Sequence, residues 1–192
     1  MSTSIFTLSN GFKVVFERNK SKAGHLGITF HAGTRFDPIE KAGLAHFLEH
    51  CIFKGTKKRK AFHILTRLDA VGGEINAYTT KEDVCIYASF VKSDFSRASE
   101  LISDICFNSI YPEKEIVKEK EVVIDEIHSY LDAPSELIYD DFEELMFKNH
   151  PLGKNILGTV DSVRGLGQAD LNSYAKKYFN PDNAVISLVG NF

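Results

Sequence analysis

An α+β fold, a mostly antiparallel sheet of about five to six strands with several helices packed against it, follows from three features of the sequence. Strand-type segments occupy the beginning, the middle and the end of the chain. A block of consecutive helical segments separates the middle strands from the last one. No regular alternation of strand and helix is present, which is the pattern a parallel sheet requires. With 192 residues the chain is long enough for one well-buried core and short for two, so residues 1–192 read as a single domain.

The elements follow in order. Thr7 to Phe16 places Asn10-Gly11 between two β-prone runs, the strongest short hairpin signal, because both central turn residues take positive φ. His25 to His31 alternates as a third strand, and Ala32 to Pro38 reads as a loop. Helical spacing then covers Ala42 to Phe53 and Ala61 to Val71, the second helix ending at Gly72-Gly73. Glu74 to Thr79 and Val84 to Val91 read as a pair of antiparallel strands. Helices are expected over Ser93 to Ser109, over Pro112 to Leu131 with Pro at the first position, and over Pro134 to Phe147. His150 to Asp161 reads as a connection, Gln168 to Phe179 as a helix and Ala184 to Val189 as a closing strand.

Composition excludes several classes of function. A net charge of -3 and a single short basic run, Lys57-Lys58-Arg59-Lys60, without interleaved aromatics, argue against nucleic acid as a partner. No stretch approaches the roughly 20 apolar residues of a membrane span, and Met1 to Asn10 has neither a basic start nor an apolar run. Cys51, Cys85 and Cys106, an odd number without metal-type pairing, read as thiols in a reducing, cytoplasmic setting.

One segment carries chemistry. His46-Phe47-Leu48-Glu49-His50 matches H-x-x-E-H, the inversion of the common zincin motif. On a helix, His46 and His50 lie one turn apart and can reach one ion, while Glu49 falls roughly 60° from His46, near enough to touch a metal-bound water as its base. A catalytic zinc takes three protein ligands, so a third donor must come from elsewhere. The Pro112 to Leu131 helix offers two. Ile116, Val123, Ile127 and Tyr130 form its apolar stripe, and Lys118, Glu121, Asp125 and His128 point away. Glu119 and Glu126 border the buried face, where a carboxylate needs a cation or donors. About 10 Å of helical rise separates them, so one ion takes one of the two and the other supports. Cys51 lies about 100° from His50 on the helix and reads as a structural thiol. His25, His31, His63, His128 and His150 show no ligand spacing.

Ala42-Gly43-Leu44-Ala45-His46-Phe47-Leu48-Glu49-His50-Cys51-Ile52-Phe53-Lys54-Gly55-Thr56 resembles the signature segment of the pitrilysin family of metallopeptidases, especially its branch similar to the mitochondrial processing peptidase β subunit. The resemblance covers essentially the whole chain. It implies a third ligand about 76 positions past the second His, which is Glu126, and a supporting acid seven positions earlier, which is Glu119. It further implies one zinc ion held by His46, His50 and Glu126, with peptide hydrolysis in which Glu49 is the general base. Gly72 to Thr79 resembles the family's edge strand, along which an extended peptide adds by backbone hydrogen bonds, so Gly73, Asn76, Ala77 and Tyr78 are expected to meet substrate. Related proteins enclose a chamber with four such domains, and the Arg and Tyr they use from the opposite half have no counterpart here. The resemblance therefore implies peptide substrates and further domains, in the same chain or a homologous one, with this chain as the N-terminal piece. The alternative is a non-catalytic assembly or peptide-binding subunit of the same fold, which the intact motif disfavours.

Overall fold

The structure, a computed structural model, describes residues 2–192. β1 (Ser2–Thr7) and β2 (Lys13–Arg18) form the expected hairpin, but the turn is longer than a two-residue Asn-Gly turn. It is closed by the Leu8 amide donating to the Phe12 carbonyl at 2.8 Å, and Gly11 at φ +92 takes the positive φ while Asn10 does not. β3 (Ala23–Phe30), β4 (Glu74–Thr79), β5 (Val84–Val91) and β6 (Ala184–Gly190) complete a six-stranded sheet in the order β1-β2-β6-β3-β5-β4. Every pairing is antiparallel except β2 with β6. The fold class is therefore the expected one. The place of the last strand is not legible locally, because it inserts between β2 and β3 through contacts more than 150 residues apart in the chain.

Along β3 the burial alternates, with Leu26, Ile28 and Phe30 turned into the core and their neighbours more exposed. One face of the sheet is thus covered and the period of two marks it. The cover consists of α1 (Leu44–Ile52), α2 (Ala61–Asp69), α3 (Phe95–Asn108), α4 (Glu113–Leu131), α5 (Pro134–Met146), α6 (Val160–Gly165) and α7 (Gln168–Tyr178). α1 and α3 lie on the sheet, and α4 packs across α1. Phe30 stacks face to face on Phe179 with ring centroids 4.0 Å apart, joining the sheet to the segment that follows α7. No helix among the described residues is long and apolar enough to cross a membrane.

Two departures from expectation concern α4 and α6. Ile124 joins Ile116, Val123 and Ile127 in the core, while Val122 is half exposed, so the buried stripe of α4 is rotated slightly from the expected one. The expected connection from His150 to Asp161 runs into a short helix, α6, capped by a reciprocal pair. Thr159 accepts from the Ser162 amide while Ser162 Oγ accepts from the Thr159 amide.

α1 is apolar nearly all round. Phe47, Leu48, Cys51 and Ile52 have no exposed surface, and Leu44 and Ala45 are buried as well. Each large side chain so buried stabilises by about 1.5–3 kcal/mol. The helix that carries the motif is therefore fixed by the core on most of its circumference, and only the side of His46, Glu49 and His50 faces a cleft.

Candidate metal centre

The entry to α1 sets the position of the site. Gly43 precedes the helix at φ +85, and a Cβ there would meet the Leu157 carbonyl oxygen at 2.4 Å, so both conformation and space require glycine. The first-turn amides are satisfied from a distance in sequence. Asp37 Oδ2 accepts from the Gly43 amide at 2.9 Å and Oδ1 from the Ala45 amide at 3.1 Å. Burial pushes the Asp37 carboxyl up to about 7, against the pull of those same amides. Behind it, Tyr174 donates its hydroxyl to the carbonyls of Ala32 and Gly33 at 3.0 Å, which holds the loop that carries Asp37.

On the cleft side, the imidazoles of His46 and His50 have centroids 4.7 Å apart. Glu126, from α4, lies between them. Its Oε1 is 3.7 Å from His46 Nε2 and its Oε2 is 3.3 Å from His50 Nε2. One donor atom from each of the three residues lies within 4.8 Å of the other two. His46 is 7% exposed, and burial, reinforced by the neighbouring His50, pushes its imidazole down to about 3. A neutral ring with an available lone pair is what a metal ligand must be. Two imidazoles and a carboxylate converging from two helices could hold a metal ion, and two nitrogens with one carboxylate oxygen are a donor set that suits zinc. His46 Nδ1 has no hydrogen-bond partner among the described residues.

Glu49 lines the same cleft as His46 and Glu126. Burial pushes its carboxyl up, opposed by the adjacent Thr79 hydroxyl, so it is a readier proton acceptor than an exposed glutamate. Glu119 occupies the position of a support. It is 8% exposed, with Oε2 3.5 Å from His50 Nδ1 and Oε1 2.7 Å from Lys54 Nζ. Cys51 is fully enclosed and burial pushes its thiol up to about 12, with Glu119 adding to the effect, which removes it from consideration as a thiolate.

The cleft has a volume of about 780 Å³ and lies between the β4–β5 turn, α5 and the segment around Asn155. Lys81, at the turn, pairs with Asp140 at 3.3 Å and with Glu143, both from α5. Asp140 also accepts from Tyr130 Oη at 2.5 Å and from Asn155 Nδ2 at 2.8 Å, so one carboxylate ties three parts of the wall together. β4 is an edge strand, running past Glu49 at Thr79. Gly73, just before it, Asn76 and Ala77 do not line the cleft, whereas Tyr78 does. The Ala77 amide donates to Asn76 Oδ1 at 2.9 Å. The Tyr78 ring lies 6.0 Å from that of Tyr87, on the sheet face opposite buried Ala77.

The sequence reading passed over Asp37, Lys54, Thr79, Lys81 and Asp140. Asp37 had a faint local signal, an acid shortly before an apolar helix. Lys54 and Lys81 act on residues 65 and about 60 positions away, which no local pattern reveals.

Comparison with known proteins places this geometry in a family. Residues 13–160 match the family described as Insulinase (Peptidase family M16). The "Uncharacterized zinc protease YmxG" of Bacillus subtilis is 37% identical over 187 residues, 97% of this chain and 46% of that protein. The "Probable mitochondrial-processing peptidase subunit beta, mitochondrial" of Arabidopsis thaliana is 35% identical over 189 residues, 98% of this chain and 36% of that protein. Among solved structures, a protease from Helicobacter pylori superposes with a TM-score of 0.93 at 26% identity, covering 100% of this chain and 46% of the other. The chain thus spans less than half the length of these relatives. The convergence of His46, His50 and Glu126, the fold and the match over residues 13–160 agree, and the chain belongs to the insulinase family of peptidases, peptidase family M16, to which its pitrilysin-type motif pointed.

Proposed function

We propose that this chain is the zinc-binding domain of a metallopeptidase that hydrolyses extended peptides, with His46, His50 and Glu126 as ligands and Glu49 as general base. The observation that carries the reading is the convergence of three donor atoms within 4.8 Å beside a carboxylate that burial has made more basic. A bound zinc ion supplies Lewis acidity toward the scissile carbonyl and the attacking water. The remaining steps belong to the chain's own groups. Glu49 takes the proton of the attacking water and returns it to the leaving amine nitrogen, so a single carboxylate serves as base and then as acid. Burial, the largest influence on Glu49, keeps that carboxylate a ready proton acceptor.

The open edge of β4 supports an extended substrate. Only one side of β4 is paired in the sheet, and a peptide lying along the other would run toward Glu49. Residues 1–192 then act as one domain of a longer assembly, because the relatives are more than twice as long. Those further domains, in the same polypeptide or a homologous one, complete the enclosure.

The test is a separation of binding from turnover. Glu49→Gln is expected to keep zinc at one per chain while losing hydrolysis of an unstructured fluorogenic peptide by about 10²–10⁴-fold in the assembled enzyme. His50→Gln is expected to lose both. A Glu49→Gln protein that keeps wild-type turnover would remove the general-base role.

A further inference from the structure

We infer that Lys54 is a positioning residue of the metal centre: its ammonium fixes the Glu119 carboxylate so that Glu119 holds His50 in the tautomer that presents Nε2 to the metal. The inference rests on the metal-site reading above and concerns a residue to which that reading gives no role.

The geometry runs through three groups in line. Lys54 follows immediately after the C-terminal end of α1, its amide bonded to the Cys51 carbonyl at 3.1 Å, so its backbone is fixed to the motif helix. Its Nζ is 2.7 Å from Glu119 Oε1, and the other oxygen, Oε2, faces His50 Nδ1 at 3.5 Å. His50 Nε2 points the other way, 3.3 Å from Glu126 Oε2. An imidazole that ligates through Nε2 must carry its proton on Nδ1, and an ionised carboxylate at Nδ1 can only accept, so Glu119 selects that tautomer. A carboxylate that is 8% exposed has few waters around it and needs a donor to hold its orientation. Lys54 is the one lysine or arginine that pairs with it among the described residues.

The contrast with the first histidine sharpens the point. His46 Nδ1 has no hydrogen-bond partner among the described residues. His50 is the less buried of the two, with a side chain 21% exposed against 9%, so it has more freedom to rotate and more need of an outer contact. Two effects of opposite sign follow from removing Lys54. Deleting a cation near a dication relieves repulsion and would tighten zinc binding, whereas releasing Glu119 loosens His50 and would weaken it. The ammonium is bonded to Glu119 and separated from the ligand nitrogens by that carboxylate, which offsets its charge, so the loss of orientation is expected to win.

Zinc affinity of the 192-residue chain is measured by competition with a chromophoric chelator, alongside the thermal midpoint of the zinc-free protein. Lys54→Met and Glu119→Gln are each expected to weaken zinc binding by about 10-fold or more, the range for outer contacts of a ligating histidine. Lys54→Arg, which keeps the charge and the donors, should remain within about threefold of wild type. Because Lys54 acts through Glu119, the double variant should be no weaker than Glu119→Gln alone. A side chain that served folding alone would lower the thermal midpoint without this pattern. Unchanged or tighter zinc binding in Lys54→Met, or additive losses in the double variant, would overturn the inference. Nitrogen-15 shifts of His50 in the zinc-free chain give an independent reading: Nδ1-protonated in wild type and mixed in Lys54→Met. A wild-type chain that takes up no zinc yet shows that tautomer shift would refute the metal-site reading and leave the positioning role standing, and identical tautomers in both proteins would refute the positioning role.

Discussion

Asp37 makes the stability of this protein depend on pH in a direction opposite to that of an ordinary salt-bridged carboxylate. Its pKa rises from 3.8 to about 7 on folding, so the folded state holds the proton more tightly than the unfolded chain does. The stability this contributes is complete below the unfolded value and is lost as pH rises through about 7. A shift of about three units corresponds at most to roughly 4 kcal/mol. The carboxylate is partly exposed and faces the positive end of α1, both of which favour the charged form, so roughly half, ~2 kcal/mol, is the expected change. Asp37→Asn removes the titration and keeps one acceptor for the Gly43 or Ala45 amide. His46 works in the opposite sense. Its folded value near 3 gives stability that is present above its unfolded value and lost as pH falls, but it is common to both proteins and cancels in their difference. Urea unfolding of the zinc-free chain is measured at half-unit steps from pH 5 to pH 8.5. Wild type should lose about 2 kcal/mol relative to Asp37→Asn as pH rises from 5 to about 7.5, with little further change above that. A difference that stays flat, or that grows in favour of wild type as pH rises, would show that the carboxylate is held ionised on α1 and would refute the reasoning.

Other perturbations act on the same framework. Leu48→Ala, at a position with no exposed surface on the motif helix, is expected to cost about 2–5 kcal/mol in urea unfolding and to weaken zinc binding with it, since α1 is held by its apolar sides. Arg59→Met leaves Asp104, 2% exposed, without the guanidinium that now sits 2.5 Å away, and should cost about 3–5 kcal/mol at pH 7. Asp104 is held below the usual carboxylate range, burial being outweighed by Thr56, Arg59 and Asn108, so its contribution should disappear as pH falls toward the acid range in wild type but not in the variant. Lys81→Met should free α5 from the β4–β5 turn, seen as faster amide exchange over Pro134–Met146 with little change around α1. Exchange that rises equally in both helices would contradict the local role given to Lys81.

The parts of the fold that were legible in the sequence are those set by neighbours in the chain. The β1–β2 hairpin follows from Asn10-Gly11, the start of β4 from Gly72-Gly73, and α4 from Pro112 and its apolar stripe. The insertion of β6 beside β2 was not legible, since nothing in Ala184–Gly190 encodes which strands flank it. α6 was missed although Thr159 and Ser162 carry its cap, because six residues give too little periodicity to register. The site divides in the same way. His46, Glu49 and His50 are local to one helix, and the structure brings Glu126 to them from α4 at a separation that only the family resemblance supplied. The burial of Glu119 and the greater exposure of Glu126 could not be told apart from two acids seven residues apart on one helix. The supports, Asp37 beneath α1 and Lys54 on Glu119, depend on tertiary contact and leave almost no mark in the sequence.

The most direct test of the account is zinc content after dialysis against a weak chelator, measured by elemental analysis on the folded chain and on Glu126→Gln. The account expects one zinc per wild-type chain, with X-ray absorption showing two imidazole nitrogens and carboxylate oxygen around it, and a large loss of zinc in Glu126→Gln. A folded wild-type chain without zinc, or a Glu126→Gln chain that retains it fully, would contradict the assignment of His46, His50 and Glu126 as the metal site.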